Sequence, residues 1–199
     1  MLLLNKLARA AASGDDEEVV RLLAAGQSPS DTGIMTGSPI HEASRRGRVA
    51  CVKLLCGARA NVKQRDAVTN ETPLHCAAVF GHVQVAKILI DAGAELNAQD
   101  LTGGRLAPCF ESAERGYSAF IRLTPGVCGG VLAGTPLQHA TTSLFITSMD
   151  ARQQLIELLM KAGADPGIRD KMGLGPSDNP YVMKVRKDVM HREVRRFGP

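Results

Sequence analysis

Between Thr72 and Gly93 the apolar positions recur with helical rather than strand spacing. Leu74, Ala77 and Ala78 fall at i, i+3 and i+4, and Val85, Ile88 and Leu89 repeat that spacing after Gly81. The pattern predicts two short helices. Pro73 opens the first, because its fixed φ suits a first turn, and Gly81 ends it. The second runs from His82 to Ala92 and stops at Gly93. Ala in the first stripe lets neighbouring helices approach closely.

The same pattern occurs elsewhere. Residues 38–66 (SPIHEASRRGRVACVKLLCGARANVKQRD) align without a gap on 72–100 (TPLHCAAVFGHVQVAKILIDAGAELNAQD), a self-match of 29 residues at a shift of 34. Pro39 falls on Pro73, His41 on His75, Gly47 on Gly81 and Asp66 on Asp100. Weaker copies read as 5–31, which keeps Gly14 and Gly26; as 107–123, which keeps Pro108, Ala113 and Gly116; and as 135–170, which opens with TPLQHA. A last fragment begins near Gly175.

These residues resemble the ankyrin repeat, whose signature is T-P-L-H-x-A followed by two short helices. The resemblance implies an all-α solenoid of stacked helix-turn-helix units with projecting turns. About five repeats are expected over 1–179, followed by a basic amphipathic C-terminal helix over 180–199. A unit of about 33 residues cannot bury its own apolar face, so neighbours must supply the missing half of each core. The first copy has Asn5, Lys6 and Arg9 where a cap needs polarity, and Asp15, Asp16, Glu17 and Glu18 where a helix dipole favours negative charge.

Three places depart from the pattern. Arg59 occupies the position of Gly26 and Gly93, at a cost of about 1 kcal/mol unless the loop around Gly57 shifts. Thr124–Gly134 (TPGVCGGVLAG) is Gly-rich and reads as a loop in place of part of a helix. TTSLFITSMD adds residues before a helix capped by Asp150, which predicts a bulging loop, so the stack is expected to be irregular over 124–150.

Composition narrows the class further. Lys+Arg number 24 against 20 Asp+Glu, a net +4, too balanced for a protein whose main task is coating nucleic acid. The tail 180–199 carries the whole excess, and Val182, Val185 and Val189 give it one apolar face. The tail is therefore the one place where nucleic acid or acidic membrane is an expected ligand. No apolar run reaches transmembrane length and the first residues lack a signal-peptide pattern. The five scattered Cys form no C-x-x-C pair. An intracellular protein, cytoplasmic or nuclear, with reduced thiols is the expectation.

Candidate chemistry is sparse. Cys76 sits on the packing side of a helix as a small core residue, and Cys51 and Cys56 are five apart on a helix, so they diverge. Gly103-Gly104 and Gly129-Gly130 fit no phosphate-binding loop. No catalytic residue, cofactor or metal is therefore expected, and no enzyme. The resemblance implies that His41 and His75 brace the turns between repeats. It also implies binding through turn tips and the inner face of the first helices of each pair. Those positions are Ile34, Met35 and Val68 at the tips, with Arg45, Arg46, Val79, Phe80, Glu114 and Arg115 before the mid-repeat turn. An exposed Val79–Phe80 pair flanked by arginines is the expected hot spot.

The expected partner is another protein, bound by a monomer acting as adaptor or scaffold. SPIHEASRRGRVACVKLL is similar to repeats of the ankyrin-and-SOCS-box family, which select substrates for cullin–RING ubiquitin ligases, although 176–199 does not resemble that family's adaptor-binding box. LARAAASGDDEEVVRLLAAG is similar to ankyrin-type inhibitors of cyclin-dependent kinases.

Overall fold

A computed structural model describes residues 5–32, 37–67, 69–100, 134–143, 146, 148–169, 175–176 and 182. Among them are eight helices and no strand: α1 (Lys6–Ser13), α2 (Asp16–Ala24), α3 (Pro39–Arg45), α4 (Val49–Gly57), α5 (Pro73–Phe80), α6 (Val83–Asp91), α7 (Pro136–Thr142) and α8 (Met149–Lys161). They form four antiparallel pairs. The first helices stack as one row, α1 on α3 on α5 on α7, and the second helices as another, α2 on α4 on α6 on α8. The described residues are therefore an all-α ankyrin-type solenoid. None of their helices is long and apolar enough to cross a membrane.

Each first helix starts the way its sequence dictates. Ser38, Thr72 and Thr135 are N-caps followed at once by Pro, whose missing N–H is one of the groups a helix start leaves unbonded anyway. Asn5 caps α1 by accepting the Ala8 N–H at 2.6 Å. Asp15 does the same for α2 with Glu18, above an acidic first turn. The interior is made of rows. Leu7, Ile40, Leu74 and Leu137 occupy one position of successive first helices, and Leu22, Leu55, Leu89 and Leu159 one position of successive second helices. All eight are buried in one continuous core. Complete burial of such a side chain stabilises by about 1.5–3 kcal/mol, and only a neighbouring pair supplies it here.

The pairs interlock at the turn inside each repeat. Gly47 has φ +68°, and a Cβ there would lie 2.7 Å from the His82 ring of the next pair. His82 is the N-cap of α6, and its Nε2 donates to the Arg45 carbonyl at 3.1 Å. Arg59 takes the left-handed conformation itself, at φ 61°, like Gly26 and Gly93 at 84° and 85°. Gly57 stays in the last turn of α4, so the strain sits in the Arg59 backbone.

The fourth pair bears on the expected irregularity. The copy expected at 107–123 lies outside the described residues; among those described, α5 packs directly on α7 and α6 on α8. The anticipated bulge before α8 is held down at its described positions. Ser143 and Ile146 are buried, and Ile146 covers Gly81. Arg152 clamps this stretch, donating to the carbonyls of Thr141, Ser143 and Ile146 at 2.8, 2.6 and 3.0 Å. The N-cap of α8 is Ser148, with Asp150 one position inside the first turn, and α8 runs 13 residues where α6 runs nine. Of the tail beyond 180, only Val182 is described; it is buried in the common core.

Candidate functional site

The polar groups that hold the stack in register lie between the pairs, and two histidines anchor them. In α3, His41 Nδ1 accepts the Ser38 N–H at 3.2 Å. That backbone group can only donate, so the ring proton is on Nε2, which donates to the Glu71 carbonyl at 3.1 Å. His75 repeats the arrangement one pair later. Its Nδ1 accepts the Thr72 N–H at 3.1 Å and its Nε2 donates to the Gly134 carbonyl at 3.0 Å. Burial drives both rings to the neutral form. The pKa of His41 falls to about 4, and that of His75 to about 3 with a further push from His139. These are the bracing contacts that the repeat pattern implies.

The turn from Asp66 to Thr72 and the junction from Asp100 to Thr135 start and end alike. Asp66 N–H donates to the Glu71 carbonyl, and Asp100 N–H to the Gly134 carbonyl. They differ in how the aspartate side chain is satisfied. Asp66 Oδ1 accepts the N–H and hydroxyl of Thr69, within its own turn. Asp100 Oδ1 accepts the Gly134 N–H at 2.8 Å, and its Oδ2 accepts from His139 Nε2 at 2.9 Å. In the fourth repeat Gln138 takes the histidine's place, its Oε1 accepting the Thr135 N–H at 2.6 Å. His139 is thereby set one position on, where the earlier repeats carry Glu42 and Cys76. Its ring meets that of His75 edge to face, with centroids 5.4 Å apart. His75, Asp100 and His139 are each less than 4% exposed.

The sequence-predicted interaction residues scatter across three environments. Ile34, Met35, Val68, Glu114 and Arg115 lie outside the described residues. Arg45 is engaged: it pairs with Glu42 at 2.8 Å and Glu71 at 3.6 Å, and its guanidinium lies 3.8 Å from Cys76 Sγ. The expected exposed Val79–Phe80 pair is not one. Val79 is buried at 8%, with Ser143 Oγ donating to its carbonyl. Residue 143 reaches it because the fourth pair packs directly on the third. Phe80 is half-buried and stacks on His82 at 6.3 Å, and Arg46 is likewise half-buried. Burial raises the thiol pKa values of Cys51, Cys56 and Cys76, that of Cys51 to about 12 with help from Asp16 alongside, so none of the three is a ready nucleophile.

Sequence reasoning missed the meeting of His75, Asp100 and His139. His75 and His139 are 64 residues apart, and the repeat pattern reads a further copy between them. The available signal was the extra histidine in TPLQHA, displaced by one from the pattern.

Comparison with known proteins bears on the same residues. Residues 7–100 match the family described as ankyrin repeats, three copies. The chain is 33% identical over 134 residues to the ankyrin repeat and KH domain-containing protein mask-1 of Caenorhabditis elegans, covering 67% of this chain and 5% of that one. It is 30% identical over 169 residues to human ankyrin repeat and SOCS box protein 3, covering 84% of this chain and 32% of that one. It is 40% identical over 91 residues to mouse protein phosphatase 1 regulatory subunit 27, covering 45% of this chain and 58% of that one. The chain thus spans a small part of the nematode protein and about a third of the SOCS-box protein.

Proposed function

Because the chain is an ankyrin-repeat protein, we propose that it serves as a non-enzymatic adaptor, a monomer that binds a protein partner inside the cell. The contact is assigned to the turn tips and the inner faces of the first helices, centred on Arg46 and Phe80. The observation that carries this reading is the rigidity of the stack. The buried histidine braces and the continuous core fix half-exposed Arg46 and Phe80 on adjacent repeats, and Arg and aromatic side chains dominate protein interfaces. Val79 drops out of the expected hot spot as a core residue, and Arg45 supports the face through its ion pairs.

The test is an affinity pull-down comparing the native chain with an Arg46→Glu, Phe80→Ala double variant whose helix content is unchanged by circular dichroism. Loss of the specifically retained proteins supports the face. An identical partner set removes it from consideration.

A second reading, as substrate-recognition subunit of a cullin–RING ubiquitin ligase, is favoured by one observation. The similarity to ankyrin repeat and SOCS box protein 3 extends over 84% of the chain, well past the residues that match the family. It predicts that the native protein co-purifies with a cullin and its adaptors, and their absence would dispose of it. An inhibitor of cyclin-dependent kinases is the third reading; a kinase assay that shows no inhibition by the purified chain would close it.

A further inference from the structure

We propose that His75, Asp100 and His139 form a site for one divalent transition-metal ion, of zinc type, at the seam between the third and fourth helix pairs. The nitrogen and oxygen atoms they offer all lie within 4.8 Å of one another. Two imidazoles and a carboxylate are a donor set suited to zinc, whose tetrahedral ligands stand about 3.3 Å apart. A shift of about an ångström at the side-chain tips closes the difference. Without an ion, ligands so placed hydrogen-bond to one another, as Asp100 and His139 do at 2.9 Å.

Ligation asks for a change of tautomer. To ligate, each ring must present its Nε2 lone pair to the ion and carry a proton on Nδ1. For His75, Thr72 Oγ1 stands 2.8 Å from Nδ1 and accepts that proton's hydrogen bond, while the Thr72 N–H, which Nδ1 accepts at 3.1 Å without an ion, gives up that bond. Such a partner behind a metal-bound histidine fixes the tautomer and the ring orientation. Gly134 N–H stays on Asp100 Oδ1, which leaves Oδ2 for the ion, and the Gly134 carbonyl, 3.0 Å from His75 Nε2, supplies a fourth oxygen while retaining the Asp100 N–H.

The other junction is unsuited to a cation. At the position of His139, the second repeat has Glu42 paired to Arg45, and the third has Cys76 beside the same guanidinium. A fixed positive charge already fills that place. Among the described residues only the seam at Asp100 joins a second imidazole to the bracing histidine, and in the sequence 33 residues separate Asp100 from Gly134. An ion there ties the fourth pair to the third where the chain itself does so least directly. The inference does not depend on which partner the adaptor binds.

The experiment uses the full chain after chelator treatment. Cobalt(II) is titrated as a spectroscopic probe, and zinc is added in a thermal melt. Expected are a tetrahedral visible cobalt band saturating at one equivalent, without the thiolate charge-transfer band that cysteine ligation gives. Zinc at a hundredfold excess over its Kd raises Tm by about 5–10 °C. His139→Gln, which puts a second Gln after Gln138, abolishes both effects. Should that variant fail to fold, side-chain nitrogen NMR of the native chain decides. Zinc must move the Nε2 resonances of His75 and His139 and leave those of His41 and His82 in place. A cobalt spectrum of thiolate type, no zinc-dependent shift in Tm, or unmoved His75 and His139 resonances overturns the proposal.

Discussion

Gly47→Ala tests the interlock between successive pairs with an internal control. Two costs are added at this position. The first is conformational: φ is +68°, and an L side chain held in the left-handed region loses about 1 kcal/mol relative to Gly, after allowance for the stiffer unfolded chain. The second is steric. The new Cβ would stand 2.7 Å from the His82 ring, which must move and give up its bond to the Arg45 carbonyl. Losing that buried bond and displacing a packed ring costs about 1–3 kcal/mol more. Gly93 has the same backbone conformation, φ +85°, but open space where a Cβ would go, so Gly93→Ala carries the first cost alone. Equilibrium denaturation of the two variants should therefore place Gly47→Ala about 1–3 kcal/mol below Gly93→Ala. The difference should shrink when His82 is first replaced by Ala, because the colliding ring is then absent. Equal costs for the two glycines, or a Gly47→Ala cost indifferent to His82, would refute the reasoning.

Other consequences follow from the buried polar groups. His41 is neutral in the fold, with a pKa near 4 against an ordinary 6.5, so between those values the unfolded chain binds more protons and stability falls as pH drops through the window. That one residue accounts for on the order of 3 kcal/mol across it, and His41→Gln should flatten the acid limb of a plot of stability against pH. Replacing Arg152 by Met removes three hydrogen bonds to carbonyls between Thr141 and Ile146. It should cost about 2–4 kcal/mol, with hydrogen exchange rising first in α7 and α8. With Cys109 and Cys128 changed to Ser, the remaining thiols, all raised in pKa by burial, should react with a disulfide reagent only after denaturant is added.

What could be read from the chain in advance was whatever a single repeat encodes locally. Pro73 before Leu74, Gly81 at the turn and the spacing of Val85 and Leu89 specify two helices without reference to anything distant, and the self-match with 38–66 makes stacking unavoidable. Arg59 in a glycine's place was legible for the same reason, since a left-handed cap is a local demand. The direct seat of α7 on α5 was not. Helical spacing in 107–123 looks alike whether that segment enters the stack or lies outside it. What decides is that Gly134 reproduces the hydrogen bonds of Glu71, a contact between residues 34 apart. Burial of Val79 was hidden likewise, because the side chain that reaches its carbonyl belongs to Ser143. The displaced histidine of TPLQHA was visible as an oddity, but its partners become neighbours only once the fourth pair rests on the third.

Direct contact between those two pairs is the claim that most needs a measurement. Residues 101–133 can be replaced by Ala-Val-Thr-Asn, the four residues that join Asp66 to Glu71, and amide hydrogen exchange followed helix by helix. If α7 and α8 already stand on α5 and α6, both will keep the protection they have in the native chain, since the shortened turn joins the same two ends. Loss of protection in α7 and α8, with α1 to α6 unchanged, would mean that the excised residues belong inside the stack.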